Sequence, residues 1–111
     1  MVDMGFTTDE IAEPKTADME LHRVLHALSD PVRLEVVRQL ADADECRCGA
    51  LSETGVSKST LSHHLKTLRG AGLTRTRPVG TTRFVSLRRD DLDERFPGLL
   101  DAVLADQQSA A

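Results

Sequence analysis

In the stretch SKSTLSHHLKTLRGAGL, residues 57–73, Leu61, Leu65 and Leu68 recur at i, i+4 and i+7. That spacing lines one face of an α-helix. Ser57 is placed to cap the first turn, and Gly70-Ala71-Gly72 supplies the backbone freedom that ends the helix. The opposite face carries Lys58, Ser59, Ser62, His63, Lys66 and Arg69, so it is positively charged and rich in hydrogen-bonding groups.

Working outward, Thr54-Gly55-Val56 reads as a tight turn, with a short helix expected before it over about Arg47 to Glu53. On the other side, Leu73 to Pro78 and Thr81 to Leu87 alternate and are rich in β-branched residues. Joined around Val79-Gly80, they predict a β-hairpin decorated by Arg75, Arg77 and Arg83. Leu21, Val24, Leu25 and Leu28 predict an earlier helix from about Asp18. Ser29-Asp30-Pro31 then ends that helix and starts another, with Asp30 as cap and Pro31 at the first helical position. Val32, Val36, Val37 and Leu40 form the expected buried stripe of this second helix. A last helical region from Asp90 or Asp91 is broken at Phe96-Pro97-Gly98 and resumes with Leu99, Leu100, Val103 and Leu104, a stripe that either closes the core or meets a partner. The fold expected is mainly α with a small β-hairpin: about five helices and a two-stranded wing. Residues 1–16 are expected to form a flexible arm, 17–106 the folded domain and 107–111 a tail.

The 111 residues suit one domain, with little room for an enclosed active site. No apolar run approaches the ~20 residues of a membrane span, and the acidic N-terminus lacks the order of a secretory signal, so a cytoplasmic address without a membrane partner is expected. Only three Phe and no Trp or Tyr occur, which argues against stacking on single-stranded bases. The net charge of −4 averages two unlike regions. Val56 to Arg89 holds eight basic residues and no acid, whereas the rest of the chain sums to −12. A cationic segment in acidic surroundings is the footprint expected of a module that reads duplex DNA.

Two helices joined by a glycine-containing turn, followed by a basic hairpin, meet the needs of such reading. An α-helix fits the major groove and its first residues reach base edges, while arginines on a hairpin can hold phosphates alongside. With these motifs in place, the segments HALSDPVRLEVVRQL, ECRC and VSKSTLSHHLKTLRGAGL, with the hairpin ending in VSL, resemble the ArsR/SmtB family of winged helix-turn-helix repressors over about His22 to Leu87. The resemblance implies a homodimer paired through its first and last helices, bound to an imperfect palindrome of double-stranded DNA and released by an effector. It further implies that Ser57, Lys58, Ser59, Thr60, Ser62, His63 and His64 face the DNA at or near base edges. Lys66, Arg69, Arg75, Arg77 and Arg83 would hold the backbone.

His63 and His64 point ~100° apart on a helix and do not readily share one ion. No acid, nucleophile or orienting partner lies at a catalytic spacing, so no enzymatic activity is expected. Cys46-Arg47-Cys48 falls where some members of that family capture soft ions, and thiolates select such ions. Those sites usually recruit a third thiolate, and this chain has no third cysteine. Arg47 beside them would favour the thiolate, so three readings stay open: a soft-metal site, a thiol-redox sensor, or packing alone. His22 and His26, four residues apart on the first helix, have a spacing that suits zinc or nickel, or mark an exposed helix face with no ligand. The cofactor therefore stays open between a soft or borderline metal ion and none. Two other functions are compatible with the sequence: a winged-helix protein-interaction module docking through Leu99 to Leu104, and a metal-handling protein without operator binding.

Overall fold

The computed structural model describes residues 13–48, 51 and 55–110. A 3-10 turn at Thr16–Asp18 leads into α1 (Leu21–Ala27), α2 (Pro31–Ala41), β1 (Cys46–Arg47), α3 (Lys58–Ala71), β2 (Thr74–Val79), β3 (Thr82–Leu87), α4 (Arg89–Arg95) and α5 (Leu99–Ala110). Apart from the short helix expected over about Arg47 to Glu53, the expected helices and hairpin are present, and the sheet has one strand more than expected. It is antiparallel in the order β1-β3-β2. Cys46 and Arg47, placed by the sequence at the entry to a short helix, instead pair with Val85 and Phe84 of β3. Most of that expected helix, 49–50 and 52–53, lies outside the described residues, as does Thr54 of the expected turn.

Local chemistry sets the element ends. Asp30 caps α2 by accepting hydrogen bonds from the backbone N–H groups of Val32 (2.8 Å) and Arg33 (3.1 Å), with Pro31 at the first helical position. At the end of α3, Gly72 takes φ +97° and its N–H donates to Arg69 O (3.1 Å), while Leu73 N–H donates to Leu68 O (3.0 Å). This pair of bonds closes the helix in a Schellman motif. A side chain at Gly72 would be strained by that φ, and its Cβ would lie 2.8 Å from Met19 Cγ.

The core joins Val24, Ala27 and Leu28 of α1 to Val36, Val37 and Leu40 of α2, Leu61, Leu65 and Leu68 of α3, Val85 of β3, Leu92 of α4 and Leu100 and Leu104 of α5. Two apolar stripes are wider than the core uses. Leu21 and Leu25 of α1 stay about half exposed, at 46% and 48%. In α5, Leu100 and Leu104 are buried, but Leu99 and Val103 are only partly covered. The final residues of the expected arm are tied down: Glu13 Oε2 accepts from Thr76 N–H (2.6 Å) and Pro14 O accepts from Arg88 Nη1 (2.7 Å). The rest of the arm, 1–12, lies outside the described residues.

Candidate nucleic-acid interface

The side chain of Ser57 begins α3 by accepting a hydrogen bond from Thr60 N–H (3.2 Å) and donating to Thr60 Oγ1 (3.0 Å). Its hydroxyl thus orders the first turn, with Ser59 Oγ nearby at 3.3 Å. Leu61, Leu65 and Leu68 fasten one side of α3 to the core, which turns the other side outward. Ser59, Ser62, His63 and Lys66 are all exposed. At ~100° per residue they fall within an arc of ~100°, one continuous stripe of donors and acceptors. Lys58 and Thr60 are exposed at the N-terminal end of the helix.

Two residues expected with them are turned away. His64 keeps only 12% of its side chain exposed, and its Nδ1 lies 3.0 Å from Arg33 Nη1. A guanidinium only donates, so Nδ1 accepts and the proton of the neutral ring sits on Nε2, 4.0 Å from Asp30 Oδ2. Arg33 is itself buried and donates to the carbonyl oxygens of Ala27 (2.7 Å) and His26 (3.4 Å). Arg69 is buried at 7% exposure, and its Nη1 donates to Thr76 Oγ1 (3.5 Å). The leucine periodicity alone could not reveal this, because both side chains sit on the flanks of the buried face and reach partners on other elements.

The wing arginines have partners too. Strand alternation buries Thr74 and Thr76 and exposes Arg75 and Arg77. Arg77 donates to both carboxylate oxygens of Glu45 (2.7 and 3.0 Å) and lies over the Phe84 ring, 4.9 Å from its centroid. Arg75 meets Asp91 (3.2 Å) and Glu13 (3.8 Å), and Asp91 also accepts from buried Arg88 (2.9 Å). The Arg88 hydrogen bond chiefly holds the Asp91 carboxyl below the usual carboxylate range, as the Arg77 bond does for Glu45. Arg83 is half-buried on the core side of β3. The acid-free segment is therefore partly neutralised by carboxylates from outside it, which no local spacing signals.

Cys46 and Cys48 are reduced, half-buried and packed against the core. Burial pushes the Cys48 thiol up, opposed by the charges of Arg83 and Arg69. The cation beside Cys48 is thus not the neighbouring Arg47 of the sequence reading. His22 and His26 are exposed on α1 and line an open groove of about 530 Å³ against α3, together with Arg23, Lys66, Thr67 and Arg69. Among the described residues, no three His, Cys, Asp or Glu side chains are grouped to hold a metal ion. Among them, too, no helix is long and apolar enough to cross a membrane.

Residues 30–76, from the α2 cap through the exposed helix into β2, match the profile of the bacterial regulatory protein, arsR family. The uncharacterized HTH-type transcriptional regulator YceK of Bacillus subtilis is 42% identical over 83 residues, which cover 73% of this chain and 83% of that protein. The chain belongs to the ArsR family. A second relative, the arsenical resistance operon repressor of Staphylococcus xylosus, is 39% identical over 74 residues, covering 67% of this chain and 71% of that protein. The solution structure of the homodimeric winged helix-turn-helix DNA-binding domain of Mb0332 from Mycobacterium bovis superposes with a TM-score of 0.64 at 27% identity, covering 82% of this chain and 83% of that one. This ArsR-family chain is accordingly a DNA-binding transcription regulator of winged helix-turn-helix fold, with α3 as the second helix of the pair and β2-β3 as the wing; the short helix expected before the Thr54-Gly55-Val56 turn falls mostly outside the described residues.

Proposed function

We propose that the protein is a homodimeric repressor that reads an imperfectly palindromic operator with α3. Ser59, Ser62 and His63 contact base edges. Lys58, Thr60 and Lys66 flank them on the backbone, with the Ser57 cap at the point of entry. The observation that carries this reading is the exposed stripe of Ser59, Ser62, His63 and Lys66 on a helix whose other side is fixed to the core. On the wing, Arg75 and Arg77 reach phosphates by exchanging their carboxylate partners for the DNA backbone, and Arg83 supports them from β3. Dimerisation uses the exposed Leu21 and Leu25 of α1 with Leu99 and Val103 of α5.

Operator selection from a random duplex pool, followed by salt-dependent gel shifts, tests the division of roles. Lys66→Ala weakens binding to all sequences alike and lowers the salt slope by about 1, whereas Ser62→Ala or His63→Ala alters base preference at one position. If both classes of variant behave identically, the assignment fails.

A second element of the proposal concerns release. Some ArsR-type relatives are arsenical resistance repressors, and Cys46 and Cys48 are the residues here through which a soft ion or an oxidant would act. β1 pairs with the wing strand β3, and Glu45 beside Cys46 holds Arg77, so a change at the thiols reaches the wing directly. Two thiols fall short of a closed site, and burial of Cys48 opposes the thiolate. Cys46→Ser/Cys48→Ser is expected to keep operator affinity and to abolish release by arsenite or peroxide; release that persists in this variant assigns the signal elsewhere.

A further inference from the structure

The His22 and His26 pair has a spacing suited to a metal ion, but its surroundings have the wrong charge for one. On α1 the two imidazoles flank the groove together with Arg23, and across it α3 contributes Lys66 and Arg69. Among the described residues, no Asp or Glu lines the groove. Glu20, at the start of α1, lies 3.8 Å from Arg23 with both side chains more than half exposed. A dication placed between the imidazoles would face the positive charges of Arg23 and Lys66, and the described lining of the groove offers it no carboxylate ligand. An anion there would meet like-signed donors from both helices, in a cleft whose walls concentrate the field.

We propose that this groove is an oxyanion seat, in which a phosphate group lies between His22, His26 and Arg23 on one bank and Lys66 on the other. The donor types suit that chemistry. Arg23 offers a planar fork and Lys66 a point charge, Thr67 borders the site with a hydroxyl, and each imidazole carries a ring N–H. Arg69 supplies charge from the buried side. The groove is also continuous with the exposed stripe of α3, because Lys66 belongs to both. The phosphate can therefore come from the backbone of bound duplex, which would lengthen the DNA contact onto α1, or from a free phosphorylated compound.

The ring signals of the four histidines distinguish these cases in the full-length protein by NMR, assigned with single His→Gln variants. Inorganic phosphate, added against sodium chloride at matched ionic strength, is expected to move the His22 and His26 signals saturably and leave His63 unmoved. His22→Gln/His26→Gln should weaken phosphate binding about tenfold or more, and the unchanged core makes loss of folding checkable by the Leu methyl spectrum. A short duplex that displaces the phosphate assigns the seat to the DNA backbone, and one that binds without displacing it assigns the seat to a free anion. Shifts no larger than those with chloride, or saturable zinc binding at His22 and His26 in place of phosphate, overturn the proposal. The phosphate titration contains no DNA, so its failure is separate from any failure of operator reading.

Discussion

His64 sits one residue from His63 on α3, yet the two have different surroundings. His63 is solvent-exposed, whereas His64 is held by Arg33 and approached by Asp30, the residue that caps α2. These contacts fasten α2 to α3 through side chains. Removing the imidazole leaves a buried guanidinium hydrogen without its acceptor, a loss of about 1–3 kcal/mol. His64→Ala is therefore expected to lower stability by that amount in urea titrations, whereas His63→Ala leaves it unchanged within about 0.5 kcal/mol. Asp30 adds a pH dependence whose sign follows from its hydrogen bonds. Backbone N–H donation from Arg33, reinforced by Val32, holds its carboxyl below the ordinary value of 3.8. A carboxyl depressed on folding stabilises the native state above its unfolded value, and the contribution is lost as pH falls through the folded value. Unfolding midpoints measured between neutral pH and the acid side of 3.8 should fall less steeply in Asp30→Asn than in the wild type. The Asp30-Pro31 cap was legible in the sequence because it is local. The link to His64 was not, since it spans thirty-one positions between Arg33 and His64 and has no periodicity to announce it.

At the scale of elements, α3 and the hairpin could be read because their own residues specify them. Ser57 and Gly72 mark the ends of α3, three leucines mark its buried face, and the glycine at position 80 takes the positive φ of 61° that a two-residue hairpin connection between Val79 and Thr82 needs. β1 escaped notice for the opposite reason. Two residues cannot display alternation, and their pairing with Phe84 and Val85 is distant in sequence. Gly72 offers a sharp test of how α3 is terminated. Its φ of +97° and the Met19 side chain against it make Gly72→Ala costly by about 1–3 kcal/mol, whereas Gly70→Ala, with nothing within 4 Å of the added Cβ, is expected to be neutral or stabilising. Thermal unfolding of the two variants checks this directly, and equal effects would contradict the account of the helix end.

For the whole molecule, the charge pattern of the sequence picked out the segment that carries α3 and the wing, and overstated how much cation is free to meet a partner. Glu13, Glu45 and Asp91, all outside the acid-free segment, fold back onto Arg75 and Arg77. Lys58 and Lys66, by contrast, stand exposed on α3, and the hydroxyls and imidazole of the stripe lie between them. The exposed Leu21 and Leu25 on α1, with the partly covered Leu99 and Val103 on α5, are the surface on which the proposed dimer rests. Leu25→Glu should convert the protein to monomers in sedimentation experiments with its circular dichroism unchanged, and should weaken operator binding at least tenfold through loss of the second half-site; a variant still dimeric would place the interface elsewhere.

The backbone amide spectrum of the protein, recorded before and after addition of a selected operator duplex, bears most directly on the claim that the outward stripe of α3 reads DNA. The largest changes are expected at Ser57 to Lys66, with a second group at Arg75 to Arg83. Changes confined to α5, with Ser59, Ser62, His63 and Lys66 undisturbed, would contradict it.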